Sequence, residues 1–195
     1  FDSIPPSGIP LINYPEGTVF SGGMYSKLFY PNEASEGRSA WSLTATWSGD
    51  ATYQSATSTP VSLTVLKAEP ALDISLSYSS ALLNLAGAED FEVAASLSVS
   101  GFPAELQSLL AGLTVRLSVQ TPDGQTPWAP LEAVTDAAGV AHFDKAAFDA
   151  AGVTFSDAGV WRFRAAFDGD ANLRSAVTDD FSTTTARLTI KEGAG

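Results

Sequence analysis

Residues 41–58 read WSLTATWSGDATYQSATS and residues 161–178 read WRFRAAFDGDANLRSAVT, two copies of one pattern at an offset of 120. Seven of the 18 aligned positions are identical: Trp41/Trp161, Ala45/Ala165, Gly49/Gly169, Asp50/Asp170, Ala51/Ala171, Ser55/Ser175 and Ala56/Ala176. A second match, VSLTV at 61–65 against ARLTI at 186–190, follows at an offset of 125, so the second copy carries five extra residues around Asp179 to Thr183. A loop insertion between two kept strands accounts for them. An internal repeat constrains a fold strongly, because the same apolar face has to be buried twice by the same local geometry.

Both copies alternate with a period of two. Trp41, Leu43, Ala45 and Trp47 share one face, with Ser42, Thr44 and Thr46 on the other; Trp161, Phe163, Ala165 and Phe167 repeat this, with Arg162 and Arg164 outward. Strict alternation ending in Gly-Asp marks a half-buried antiparallel strand running into a turn. The same period recurs upstream of the second copy in ALDISLSYS (71–79), FEVAASLSVSG (91–101) and LTVRLSVQ (113–120). The tetrapeptide TPDG (121–124) then supplies turn chemistry. Two pieces break the pattern. PAELQSLLAG (103–112) has Pro in its first turn and Gly at its end, and DKAAFDAAG (144–152) has Asp144 as an N-cap and Gly152 as a stop, so each is expected to be a short helix in a strand connection.

The two copies are unequal in what precedes them. The second has 93 residues from Ala68 up to Trp161, whereas Trp41 has only 40 residues before it, five of them prolines at 5, 6, 10, 15 and 31. Only TVFSGGMYSKLFY (18–30) is apolar enough there for one or two strands. A domain over 1–66 is therefore expected to lack its first strands, to be completed by an upstream segment or by a neighbouring chain, and a complete domain is expected over 67–195. The linker LKAEP (66–70) is short enough to run one domain's last strand almost directly into the next domain's first.

The strand–GDA–loop–strand unit resembles the closing strands of bacterial Ig-like domains, the tandem modules of cell-surface proteins and adhesins. Residues 49–53, GDATY, match that family's loop closely; residues 169–173, GDANL, depart at the last position. The segment TDAAGVAHFD (135–144) resembles another strand of the same family, with Ala141 and Phe143 inward. The resemblance implies an all-β fold of Ig-like antiparallel β-sandwiches in tandem, with one or two short helices in connections. It implies a non-enzymatic structural or adhesive role at the cell surface or outside the cell, with neighbouring modules or like subunits as partners. An incomplete first domain adds the expectation of a fibre assembled by strand donation. In such a loop Gly49, Asp50, Gly169 and Asp170 form the turn.

Charge and residue inventory exclude several classes. With 10 Lys+Arg against 22 Asp+Glu the net charge is −12, the opposite of the basic footprint that nucleic acid requires. Cysteine is absent and His142 is the one histidine, so disulfides, thiolate nucleophiles and multi-histidine zinc sites within one chain are ruled out. No apolar run approaches the length needed for membrane insertion. His142, in G-V-A-H-F, is expected outward on a strand, and no nucleophile elbow accompanies it. Acidic pairs occur at Glu89/Asp90, Asp168/Asp170 and Asp179/Asp180. Asp168 and Asp170 offer oxygen ligands of the kind calcium takes, although no D-x-D-x-D-G loop occurs, and turn capping is the competing role of Asp170. Of the four Trp, alternation sends Trp41, Trp47 and Trp161 inward. Trp128, in Q-T-P-W-A-P, is left as the stacking platform of an alternative role as a carbohydrate-binding accessory module.

Overall fold

The computed structural model describes residues 2–4, 18–20, 24–26, 29–82, 91–178, 180–181 and 186–192. The chain divides into two compact units, one formed by Phe1–Ala68 with Ala171–Leu173, the other by Glu69–Asp170 with Arg174–Gly195. The division falls two residues beyond the expected boundary at 66, and it assigns three residues of the second GDA loop to the first unit. The pair Glu89/Asp90, Asp179, and most of the proline-rich stretch lie outside the described residues.

The first unit contains β1 (Asp2–Ile4), β2 (Thr18–Phe20), β3 (Met24–Ser26), β4 (Trp41–Thr44), β5 (Thr46–Trp47), β6 (Ala56–Thr57) and β7 (Val61–Leu63). β4 is the centre of a three-stranded antiparallel sheet, flanked by β1 and β7; β2 pairs with β3 and β5 with β6. Trp41 anchors it. The ring is fully buried, meets Phe29 edge-on at 5.2 Å, and donates its Nε1–H to the Glu33 carbonyl at 2.8 Å. A buried indole keeps its packing energy only if that N–H finds an acceptor.

The second unit contains β8 (Ala71–Leu76), β9 (Ser80–Leu82), β10 (Val93–Ser98), a 3-10 helix (Ala104–Leu110), β11 (Thr114–Gln120), β12 (Leu131–Val134), β13 (Val140–Phe143), α1 (Lys145–Ala150), β14 (Gly159–Phe167), β15 (Ala176–Val177) and β16 (Arg187–Lys191). One sheet has the order β13-β10-β8, the other β12-β11-β14-β16-β9, with β15 on β14. All pairs are antiparallel except β16 with β9. The apolar rows of the two sheets face a common core. Val93, Ala95, Leu97, Ala141 and Phe143 come from the first sheet, and Val115, Leu117, Trp161, Phe163, Ala165, Leu188 and Ile190 from the second, all buried. Between them sits an aromatic cluster of Phe91, Phe148, Phe155 and Phe163, with centroids 5.4 to 6.3 Å apart. Burying one such side chain stabilises by about 1.5–3 kcal/mol, so this cluster is the densest source of cohesion in the unit.

Both expected helices form. α1 carries the Asp144 cap, whose carboxylate accepts the Ala147 N–H at 3.0 Å. The segment after Pro103 is a 3-10 helix over Ala104–Leu110 rather than a full α-helix. Its exit is pinned by buried Thr135, whose hydroxyl donates to the Leu110 carbonyl at 2.6 Å and accepts the Leu113 N–H at 2.9 Å.

The repeat holds at the level of register. Trp41 opposes Leu63 as Trp161 opposes Leu188; Thr46 and Trp47 oppose Thr57 and Ala56 as Ala166 and Phe167 oppose Val177 and Ala176. Ser58 and Thr178 play the same part: each donates its backbone N–H to the carbonyl of Ala45 or Ala165, and each accepts that alanine's N–H on its hydroxyl at 2.9 and 3.0 Å. One expectation fails. Trp47 was placed inward by alternation but is 44% exposed, whereas its counterpart Phe167 is 4% exposed. Burial does not alternate over residues 42–47, and in the first unit no second sheet like β13-β10-β8 covers that row among the described residues.

Candidate functional site

The GDA turns are built by two features. Gly49 and Gly169 sit at φ 81° and 86°, the left-handed region that favours glycine. A Cβ at Gly49 would also meet the Ser55 nitrogen at 2.7 Å, so the turn excludes any side chain there. The Asp50 carboxylate accepts the N–H groups of Thr52 and Tyr53 at 2.7 and 2.8 Å. These two hydrogen bonds, Thr52 first, hold its pKa below the ordinary Asp value. Asp50 thus has the turn-capping role. Asp170 is half-buried in the matching position.

The Asp168 carboxylate pairs with the Arg116 guanidinium of the neighbouring strand. Among the described residues no group of three or more His, Cys, Asp or Glu gathers in an arrangement able to hold a metal ion. Trp128 is less open than its proline-rich setting implied. It is half-buried, stacks on Trp161 with centroids 5.9 Å apart, and donates its Nε1–H to the Gly152 carbonyl at 3.0 Å. In the second unit's TPDG turn Gly124 closes onto the Thr121 carbonyl at 2.9 Å, and the Thr121 hydroxyl followed by the Gln125 N–H keeps Asp123 below its usual pKa.

His142 is outward on β13, as expected, but it is not isolated. Its Nδ1 lies 2.6 Å from Glu92 Oε1 and its Nε2 lies 3.7 Å from Asp136 Oδ2. The hydrogen bond to Glu92 raises its pKa above the usual value; partial burial opposes this, and the charges of Glu92 and Asp136 add to it. Asp136 is itself committed to the turn, accepting N–H groups from Val140 and Ala138, which lower its pKa. The histidine clamped between two carboxylates joins β13, its preceding turn and the residue before β10.

The outer face of the six-stranded sheet gathers what linear reading missed. Arg116, Arg162, Arg164 and Arg187 alternate with buried residues on β11, β14 and β16, and all four side chains lie on the outward row. Arg162 directly opposes Arg187, Ser118 opposes Arg164, and Gln120 opposes Arg162. The alternation gives each arginine its side of its strand; the pairing of β14 with both β11 and β16 puts them together. No helix among the described residues is long and apolar enough to cross a membrane. A comparison with protein-family models finds no match, and a search of curated proteins finds none either.

Proposed function

We propose that the chain is a non-enzymatic structural or adhesive segment of a bacterial cell-surface or extracellular protein, built from Ig-like modules in tandem. The observation that carries this reading is the repeat itself, kept in register, turn and side-chain capping in both units. The strand order of the second unit supports the Ig-like assignment. The reading takes β8, β10 and β13 as strands A, B and E, and β12, β11, β14 and β16 as C′, C, F and G, and the observed strand orders are compatible with those labels. A terminal strand hydrogen-bonded along both edges resists being pulled out of its sheet, because many bonds have to break together. Here β16 is hydrogen-bonded on both sides, by β14 and by β9.

Pulling the chain from its two ends tests the reading. The second unit is expected to release its length in one discrete step, about 3.3–3.6 Å per residue. A gradual extension without such a step would remove the load-bearing role.

The exposure of Trp47 supports strand donation as the way the first unit is completed, because an open apolar sheet recruits an added strand. Light scattering on the whole chain is expected to show concentration-dependent assembly that Trp47→Asp abolishes. A monomer at every concentration would remove strand donation and leave the spacer role standing.

A further inference from the structure

The cations of this acidic chain are not spread evenly. Arg116, Arg162, Arg164 and Arg187 are four of its 10 Lys and Arg residues, and they share one face of one sheet. Arg116 is neutralised by Asp168. Arg162, Arg164 and Arg187 form no ion pair among the described residues.

Two further facts make this arrangement costly unless something is added to it. Arg162 and Arg187 are direct cross-strand partners, and like charges in that position repel and destabilise a sheet. The Nε atoms of Arg164 and Arg187 are buried and meet no hydrogen-bond acceptor among the described residues. A buried donor left unmade forfeits its desolvation energy, and such groups in native structures call for a missing partner. An anion laid on this face would neutralise the Arg162–Arg187 pair through the outer ends of the guanidinium groups.

We infer that the outer face of β11, β14 and β16 binds an anionic polysaccharide through its carboxylate groups, with Arg162, Arg164 and Arg187 as the contacting residues. The guanidinium fork matches a planar carboxylate in two parallel hydrogen bonds, which an ammonium cannot do. Ser118, Gln120 and Thr189 lie on the same outward row and add hydroxyl and amide groups suited to sugar hydroxyls. The three strands run side by side, so the arginines form a strip that suits an extended polymer.

Charge balance favours a thin polymer over the alternatives. A folded acidic protein would bring a broad negative surface against a chain of net charge −12. A single polysaccharide strand touches only the cationic strip, and the remaining acidic surface is screened beyond about 8 Å at physiological ionic strength. Duplex nucleic acid carries one charge per ~1.7 Å and needs more cations than three arginines supply. The inference goes beyond the spacer role and rests on the second unit alone, so its failure leaves that role untouched.

Calorimetric titration of the whole chain with alginate, a polyuronate, tests it, with neutral dextran and polyglutamate as comparison polymers. Alginate is expected to bind with an affinity that falls steeply as salt rises, and dextran not at all. The double variant Arg162→Gln/Arg187→Gln is expected to bind about tenfold more weakly or worse, the equivalent of losing charged hydrogen bonds, while its melting temperature stays level or rises as the repulsion is relieved. Trp128→Ala is expected to bind alginate as the parent does. Absence of alginate binding, equal binding of dextran, or undiminished binding by the double variant would overturn the inference. Polyglutamate binding tighter than alginate would overturn it in favour of an acidic polypeptide.

Discussion

Thr135 shows how much one buried hydroxyl can hold. It ends the 3-10 helix by donating to Leu110 and starts β11 by accepting from Leu113, while its backbone N–H bonds the Leu113 carbonyl at 2.9 Å. Thr135→Val keeps the shape but strands a donor and an acceptor, and is expected to cost about 1–3 kcal/mol in chemical denaturation. Thr135→Ser, which keeps the hydroxyl, is expected to recover most of that. His142 gives a second residue-scale expectation, in pH. Its folded-state pKa is raised above 6.5, so the protonated form is favoured by folding. That contribution is complete below the unfolded value and is lost as pH rises through the raised folded value. Melting curves of the wild type and His142→Gln should therefore differ most on the acidic side of neutrality and converge in alkaline buffer. A gap that widens with rising pH would contradict the Glu92–His142–Asp136 clamp.

At the scale of elements, turns set the spacing and the opposing layer sets the burial. Gly139, between β12 and β13, has φ 80°, and a Cβ there would lie 2.8 Å from the Leu97 carbonyl oxygen and 3.2 Å from Leu110 Cβ. Gly139→Ala combines a left-handed backbone with a clash against main chain, and the conformational part alone costs about 1–2 kcal/mol. A melting temperature unchanged by Gly139→Ala would mean the turn is built differently. The corresponding strands β5 and β14 supply a controlled comparison, since Trp47 and Phe167 occupy the same register in the two copies. Phe167→Ala is expected to cost about 3–5 kcal/mol, whereas Trp47→Ala, at an exposed position, should cost about 1 kcal/mol or less. Equal costs would show that the first unit buries Trp47 as fully as the second buries Phe167.

Over the whole molecule, the two units differ in how much of the same design is closed. Hydrogen exchange should separate them. Amides of β10, β11 and β14, whose inward residues are buried on a two-sheet core, are expected to be the slowest, and those of β5 and β6, exposed along their length, the fastest. Protection of β5 and β6 equal to that of β14 would contradict the open state of the first unit's sheet. Among exposed apolar side chains, Trp47, Tyr53, Val61 and Leu66 all belong to the first unit.

Much of this was legible without a structure because it depends on local chemistry. The period of two in WRFRAAF forces Trp161, Phe163, Ala165 and Phe167 to one side of an extended chain, and the described strand obeys it. Gly49, Gly169 and the Asp144 cap were readable for the same reason: left-handed backbone and exposed N–H groups select those residue types within a few positions. What could not be read depended on partners distant in sequence. Alternation fixes the side on which Trp47 lies but not whether anything covers it. The proline-rich setting of Trp128 gave no sign that Trp161, 33 positions on, would take one of its faces. His142 acquired its carboxylates from residues 50 and 6 positions away. The four arginines became one surface only when β14 was paired with β11 on one side and β16 on the other. Periodicity assigns each residue a side; the energy of that assignment is set by strand order and by the layer opposite, which no single stretch of sequence contains.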